Sequence, residues 1–318
     1  MLEIRHLTKS FGPLVAVDDI SFTVPQGQVL GFLGPNGAGK STTMKMITGF
    51  LAPTAGTAII CGYDIATQPI AAKRHIGYLP EGAPAYPDMT PADFLGFIAR
   101  IRAFSGEAAR QRIGRVVEMI HISEVMHQPI ETLSKGFKRR VGVAQALLHD
   151  PDVLILDEPT DGLDPNQKYE MRAVITAMQA EKAIIISTHL LEEVEAVCSR
   201  AIIIAHGRIL ADGTPSELAQ RSRHHNAVRL GIAGGADGNI KAELAALPGV
   251  AAVEPTAGAT GDGLIVFPRD GHPVVGAIAD LARERGWSIA GLQVERGRLD
   301  DVFREITASP PKPLAVAA

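Results

Sequence analysis

The sequence predicts an α/β fold for its first part and a smaller α+β domain after it. In the first part, short apolar runs rich in β-branched residues are bounded by turn residues, as expected of strands buried on both faces of a parallel sheet. Amphipathic stretches at helical spacing separate these runs, and such alternation is typical of the α/β class. The predicted strands cover residues 29–33, 153–156, 184–187 and 202–205.

Helix starts in this first part are marked by capping residues. Thr90 and Asp164 each precede a proline, which pairs a capping side chain with the residue preferred at the first helical position. Residues 91–120 carry apolar side chains at helical spacing, and a break is expected near Ser105 and Gly106. We therefore expect a first domain over residues 1–220, with a helical insert over about 91–150.

A second pattern begins near Arg221, where the composition becomes polar. The order of elements is βαββαβ, which indicates a small ferredoxin-like domain over residues 221–307. A last amphipathic helix is expected over 299–307, and the proline-rich tail 308–318 is predicted to be disordered. The predicted strands are 227–232, 250–254, 264–267 and 288–294, and the helices are 239–246 and 273–285.

Length, composition and charge argue against some classes of function. The chain has 318 residues, of which 46% are hydrophobic and 21% are charged, so it is long enough for about two ordinary globular domains. The formal net charge of −4 offers no excess of basic residues for a nucleic-acid surface. The N-terminus lacks a secretory apolar region, and the apolar runs are too short to span a bilayer, so any membrane role is expected to depend on another subunit.

The cysteines indicate a reducing compartment. Cys61 and Cys198 lie far apart in sequence, and neither has a second cysteine or a histidine nearby at the spacing of metal ligands. We therefore expect inert, reduced thiols in a cytosolic protein.

A glycine-rich loop carries the first functional signal. Residues 34–41 match G-x-x-x-x-G-K-[ST] and lie between a predicted strand and a helical run, which is the context that a phosphate-binding loop requires. In such a loop backbone N–H groups surround an anion, Lys40 reaches the β and γ phosphates, and the Ser41 hydroxyl ligates Mg²⁺. A purely structural glycine turn is the alternative. The candidate nucleotide contacts are Gly34, Pro35, Asn36, Gly37, Ala38, Gly39, Lys40, Ser41 and Thr42.

An acidic strand end supplies the second signal. Asp157 follows an apolar run, where it is placed to hold Mg²⁺, and the next residue, Glu158, is placed to accept a proton from the water that attacks the γ phosphate. His189 follows another predicted strand and is a candidate γ-phosphate contact. Alone, the two acids would indicate a solvated strand end, and the histidine a core or capping residue.

Between these motifs lies the sequence LSKGF at 133–137, followed by the basic run 138–141. With these motifs in this order, and with Asp161-Gly-Leu-Asp164 and His189 after them, residues 1–220 resemble the nucleotide-binding subunit of an ATP-binding-cassette (ABC) transporter. The resemblance implies a P-loop NTPase fold with a helical subdomain, ATP hydrolysis, and Mg²⁺ as cofactor. It also implies that Phe11 stacks on adenine, with a core residue as the alternative.

Two positions depart from the family pattern. The signature LSGGQ is here LSKGF, although Ser134 and Gly136, the γ-phosphate contacts implied by the resemblance, are retained. Glu81 stands where the family's lid segment presents a glutamine, which makes it a candidate Mg²⁺ ligand because an oxygen is kept. Both departures, and the segment 297–307, resemble single-cassette exporter ATPases of the gliding-motility, drug-export and copper-export kind.

The chain carries one set of these motifs, which implies that a single copy does not form a complete ATP site. The resemblance implies a head-to-tail pair with a second copy of the chain, in which Ser134 and Gly136 contact the ATP held by the partner. It further implies a cytoplasmic protein, peripheral at the inner face of the membrane, that powers integral membrane transporter subunits. Residues 81–90 are a candidate docking segment for a partner helix, with a plain proline-rich loop as the alternative.

Two other functions agree less well with the sequence. A soluble ABC-type ATPase acting on the ribosome or on nucleic acid usually joins two cassettes and displays a basic surface, so no nucleic-acid partner is expected. A small-molecule kinase would leave LSKGF unexplained. The smaller domain shows no catalytic pattern, and it is expected to brace the dimer, to sense a ligand or to cover the cassette.

Overall fold

The computed structural model describes residues 1–83, 85–233, 238–258 and 261–308. Two compact units divide between Thr214 and Pro215. This division lies before the boundary predicted between residues 220 and 221, because the short helix Pro215–Ala219 belongs to the second unit.

The first unit alternates strands and helices along the chain. Its strands are β1 (Leu2–Phe11), β2 (Leu14–Val24), β3 (Val29–Leu33), β4 (Ala55–Ile60), β5 (Tyr63–Asp64), β6 (Ile76–Leu79), β7 (Val153–Asp157), β8 (Ala183–Thr188), β9 (Arg200–Ala205) and β10 (Arg208–Gly213). Its helices are α1 (Lys40–Ile47), α2 (Pro69–Arg74), α3 (Pro91–Ile101), α4 (Gly106–Ile120), α5 (Lys135–Leu147), α6 (Pro165–Met178) and α7 (Leu191–Val197).

A largely parallel sheet forms the centre of this unit. Among the described residues its strand order is β10-β9-β3-β8-β7-β6, and only β10 runs antiparallel to its neighbour. Every residue of β3, β7 and β8 is buried, which explains their continuous apolar sequence. The predicted α/β class is confirmed. Since parallel strands share a direction, the residues after β3, β6, β7 and β8 meet at one edge of the sheet.

A second, antiparallel sheet was missed by the sequence analysis. Its order is β2-β1-β4-β5. The pairing of β1 with β2 shifts register after Ile4, and His6 takes a positive φ of 49°, so the alternation expected of a half-buried strand is interrupted. Leu2 and Phe22 of this sheet share one core with Phe32 and Met44 from the parallel sheet and α1.

The helical insert consists of α3, α4 and α5 with two short 3-10 turns, Ser123–Val125 and Ile130–Thr132. The break predicted near Ser105 and Gly106 lies where α4 begins. The Thr90 side chain caps α3 by accepting a hydrogen bond from the Asp93 N–H at 3.1 Å, and Asp164 forms a capping box at the start of α6.

The second unit contains α8 (Pro215–Ala219), β11 (His225–Ile232), α9 (Gly238–Ala245), β12 (Val250–Gly258), β13 (Gly261–Pro268), α10 (Val275–Glu284), β14 (Ile289–Arg296) and α11 (Leu299–Ala308). Its antiparallel sheet has the order β12-β13-β11-β14, in agreement with the predicted element types. The core on one face of this sheet includes Val228, Leu230, Leu264 and Ile278. Of the tail predicted over 308–318, Ala308 ends α11 and the rest lies outside the described residues.

No helix within the described ranges combines the length and the apolar character that a membrane crossing requires.

Candidate nucleotide-binding site

The loop between β3 and α1 wraps around a buried lysine. The ammonium group of Lys40 donates hydrogen bonds to the backbone oxygens of Gly34 at 2.6 Å and Pro35 at 3.2 Å. Burial lowers the pKa of Lys40, whereas the carboxylates of Glu158, Asp157 and Glu81 act in the opposite direction. The lysine therefore lies in the field of three acidic groups from two separate segments, the end of β7 and the segment after β6.

Two glycines of this loop have no room for a side chain. A Cβ atom at Gly34 would lie 2.4 Å from the backbone oxygen of Ile204. At Gly39 it would lie 2.6 Å from the oxygen of Ala16, and the φ of 105° at this position is one that other residues rarely adopt. The close approach of backbone to backbone explains why the motif requires glycine here.

A cleft of about 250 Å³ lies over the loop. The cleft joins loop residues to two acidic side chains that are distant in sequence, Glu81 after β6 and Glu158 after β7. The structure thus brings the candidate lid residue and the candidate base to the phosphate loop. The lining residues are Ala16, Pro35, Asn36, Gly37, Gly39, Lys40, Ser41, Thr42, Glu81 and Glu158.

The two candidate Mg²⁺ ligands at the cleft contact each other. The Ser41 hydroxyl donates a hydrogen bond to Oε2 of Glu81 at 3.4 Å. A hydroxyl and a carboxylate at this distance offer the hard oxygen ligands that Mg²⁺ prefers.

Asp157, at the end of β7, supplies a third candidate oxygen ligand. This aspartate is fully buried, and its Oδ1 accepts a hydrogen bond from the Ser187 hydroxyl of β8. Its Oδ2 has no hydrogen-bond partner among the described residues. A buried carboxylate oxygen without a donor is costly unless a cation or water satisfies it, so this site fits a bound Mg²⁺.

Glu158 is held by the segment after β8. Its N–H donates to the backbone oxygen of Ser187 at 3.0 Å, and its carboxylate oxygens lie 2.9 and 3.0 Å from Nδ1 of His189. Glu158 has a positive φ of 52°, which is a strained conformation for a residue with a side chain. Such strain is typical of functional sites, where the surrounding structure fixes a side chain in place.

Three candidates lie away from this cleft. Phe11 is exposed at the end of β1, where its ring contacts the ammonium of Lys9 at 5.2 Å. Ser134 caps α5 and accepts a hydrogen bond from the Phe137 N–H at 3.3 Å. Gly136 faces the side chain of Gln167, which a Cβ atom would approach to 2.5 Å. Neither signature residue lines the cleft over the loop of its own chain.

Sequence reasoning missed two side chains near Asp157. One is Ser187, which the parallel register places opposite Asp157. The other is Arg139, which is buried and lies 3.5 Å from both the backbone oxygen of Asp157 and the carboxylate of Asp161. The signal was present in each case: Ser187 is two residues before His189, and Arg139 is part of the basic run after LSKGF.

A glycine-rich loop that surrounds a buried lysine, with acidic residues after neighbouring parallel strands, defines a nucleotide-binding protein of the P-loop class. The model of the family described as "ABC transporter" matches residues 17–161. A Nod factor export ATP-binding protein I from Ralstonia nicotianae is 32% identical over 310 residues, which cover 96% of this chain and 94% of that protein. The chain therefore belongs to the family of ABC transporter ATP-binding proteins.

Two further comparisons agree with this result. The chain is 37% identical over 224 residues to the probable multidrug ABC transporter ATP-binding protein YbhF of Escherichia coli, and this match covers 70% of the chain but only 38% of YbhF. A solved structure of the ATP binding subunit of an ABC transporter has a TM-score of 0.64 and 30% identity, over 70% of this chain and 92% of that one. The predicted family and cassette fold are confirmed.

Proposed function

We propose that this chain is the ATP-hydrolysing subunit of a membrane exporter. The observation that carries the proposal is the single cleft that joins the phosphate loop to Glu81 and Glu158. The relative named for Nod factor export supports the direction of transport, and the relative named as a multidrug ABC transporter protein supports the role in transport.

In the proposed reaction the loop N–H groups and Lys40 bind the β and γ phosphates of ATP. Glu158 accepts the proton of the water that attacks the γ phosphate, and His189 keeps the carboxylate oriented through the contacts of 2.9 and 3.0 Å. Ser41, Asp157 and Glu81 would hold Mg²⁺, which neutralises charge on the phosphate oxygens.

The complete site requires a second copy of the chain. Ser134 is exposed at the N-terminus of α5, a helix of 13 residues, and it lines a different cleft from the phosphate loop. Helix N-termini bind phosphates because their free N–H groups point outward. We propose that Ser134 and Gly136 contact ATP held by the partner copy, in a two-fold head-to-tail pair, and that Phe11 stacks on adenine.

An apolar groove in the first unit supports a membrane partner. It has a volume of about 560 Å³. Three of its lining side chains are large, apolar and mostly exposed, namely Phe50 (77%), Ile70 (73%) and Ile101 (62%). Exposure of this kind is unfavourable unless a partner covers it. We propose that a helix of an integral membrane subunit docks here, which places the chain at the cytoplasmic face of the membrane.

The candidate docking segment 81–90 lies close to α3, the helix whose last residue lines this groove. Tyr86 contacts Phe94 and Phe97 of α3 with ring centroids 6.3 and 5.6 Å apart, and Ile101 at the end of α3 lines the groove. Pro84 lies outside the described residues. This segment would connect the docked partner to Glu81 at the nucleotide cleft.

Co-purification from cell fractions tests the proposal. Tagged wild-type chain is expected in detergent-solubilised membranes together with integral membrane proteins. Phe50→Glu and Ile101→Glu should lose this association while retaining ATP binding. Tyr169→Glu, which changes an exposed aromatic residue on α6, is the matched control and should stay associated. Recovery of the wild-type chain only in the cytosol, with ribosomes or nucleic acid, would instead support the alternative function.

A further inference from the structure

We propose that Cys61, His75 and Asp152 form a binding site for a divalent metal ion, and that their chemistry fits Zn²⁺. Each residue offers one ligand atom, and these atoms lie within 4.8 Å of one another. The site is separate from the nucleotide cleft, so the inference does not depend on the proposed transport function.

The three residues come from distant parts of the chain. Cys61 lies in the turn between β4 and β5, His75 lies between α2 and β6, and Asp152 directly precedes β7. His75 and Asp152 are therefore at the amino ends of two parallel strands. Asp157 and Glu158 are at or after the carboxyl end of β7, so the two sites lie at opposite edges of the sheet.

Backbone hydrogen bonds fix all three positions. The Cys61 N–H donates to the oxygen of Met1 at 2.7 Å. The His75 oxygen accepts from the Val153 N–H at 2.9 Å, and the Asp152 oxygen accepts from the Ala183 N–H at 3.0 Å. Because these bonds hold the backbone before any ion binds, little ordering would be required on binding.

The side chains are already oriented toward one another. Nδ1 of His75 lies 2.6 Å from Oδ2 of Asp152, and the Tyr63 ring stacks on the imidazole with centroids 5.4 Å apart and planes 15° apart. The side chains of His75 and Asp152 are 33% and 47% exposed, so an ion from solvent reaches them.

The ligand types select the ion. Sulfur, imidazole nitrogen and carboxylate oxygen are the donors that Zn²⁺ takes in proteins, and three protein ligands leave one tetrahedral position for water. In the metal-bound form His75 would offer an unprotonated Nδ1 and carry its ring proton on Nε2, and the Cys61 thiol would release its proton to solvent. The Cys61 thiol adds a soft ligand that a histidine–aspartate pair alone would lack.

A bound ion would connect the two sheets of the first unit. Cys61 belongs to the β4–β5 turn of the antiparallel sheet, whereas His75 and Asp152 directly precede strands of the parallel sheet. Because binding to the folded state stabilises it, Zn²⁺ is expected to raise the melting temperature of the protein.

The test is a metal titration of the chelator-treated full chain. Calorimetry should show one Zn²⁺ bound per chain, and Co²⁺ should give the ultraviolet charge-transfer band of a thiolate ligand. Cys61→Ser and His75→Ala should each weaken Zn²⁺ binding at least about 10-fold, since the loss of even an outer partner has effects of this size. Cys61→Ser should also abolish the Co²⁺ band.

Cys198→Ser is the matched control. Burial raises the pKa of the Cys198 thiol to about 12, and this residue lies elsewhere in the unit, so the substitution should leave Zn²⁺ binding and the Co²⁺ band unchanged. ATP binding reports whether each variant folds; if Cys61→Ser fails this check, Asp152→Asn replaces it. A wild-type chain that binds no Zn²⁺, or a folded Cys61→Ser chain that binds metal as wild type does, would overturn the proposal.

Discussion

Both carboxylate oxygens of Glu158 lie within hydrogen-bonding distance of Nδ1 of His189, at 3.0 and 2.9 Å. The glutamate side chain is 14% exposed and the histidine side chain is 50% exposed. A largely enclosed carboxylate is thus oriented by a histidine at the surface, in the cleft that also contains the phosphate loop. This geometry suits a general base whose position is fixed before substrate binds.

Glu158→Gln should therefore slow ATP hydrolysis by about 10²-fold or more while ATP binding is retained. Glutamine keeps the size of the side chain but accepts no proton from water. Steady-state phosphate release and nucleotide affinity are the measurements. Glu181→Gln, an exposed glutamate of the same unit, serves as control and should hydrolyse ATP at the wild-type rate. Wild-type turnover by Glu158→Gln would refute the assignment of the base.

Lys40→Ala should weaken ATP binding itself, by about 10-fold to 100-fold, because a charged hydrogen bond to phosphate is lost. Equilibrium binding of a fluorescent ATP analogue measures this. Lys45→Ala changes a lysine further along α1 and should bind the analogue normally. Unchanged affinity in Lys40→Ala would mean that the loop does not hold the phosphates.

The role of Glu81 near Mg²⁺ can be tested by removing the charge of its side chain. Glu81→Gln should retain hydrolysis, since an oxygen remains near Ser41, but it should weaken the dependence of ATP affinity on Mg²⁺. A carboxylate repels the triphosphate when Mg²⁺ is scarce and is compensated when Mg²⁺ is bound. Glu81→Ala should be the harsher change. Identical Mg²⁺ titrations for wild type and both variants would show that Glu81 does not act at the Mg²⁺ site and that its assignment to the lid is wrong.

The proposed sharing of each ATP site between two copies of the chain predicts complementation between two inactive variants. In a heterodimer of Ser134→Arg with Lys40→Ala, one site carries both lesions and the other is intact. Equal mixing should restore part of the ATPase activity that each variant lacks alone, with differently tagged chains used to demonstrate heterodimers. Full activity of Ser134→Arg on its own would contradict the shared site.

The parts of the site that could be predicted are those formed by one continuous stretch of the chain. The loop at 34–41 and the acidic end of β7 combine a local motif with a buried strand, so spacing alone indicates both the elements and the chemistry. The contact of Ser41 with Glu81 and that of Asp157 with Ser187 depend on the order of the strands in the sheet, and local spacing carries no such information.

The same reasoning explains the missed elements. The strand β1 was not predicted because register shifts interrupt its alternation, and the approach of His75 and Asp152 to Cys61 arises only in the folded chain. Contacts between residues that are distant in sequence therefore determine the features that local sequence patterns do not predict.

ATP-dependent dimerisation of Glu158→Gln tests the central claim most directly. Light scattering of the purified chain should give the mass of a monomer without nucleotide and of a dimer with ATP, because hydrolysis no longer releases the closed state. Adding Ser134→Arg to this variant should leave a monomer that still binds ATP. A Glu158→Gln chain that binds ATP yet stays monomeric, or a dimer that Ser134→Arg does not affect, would contradict the account.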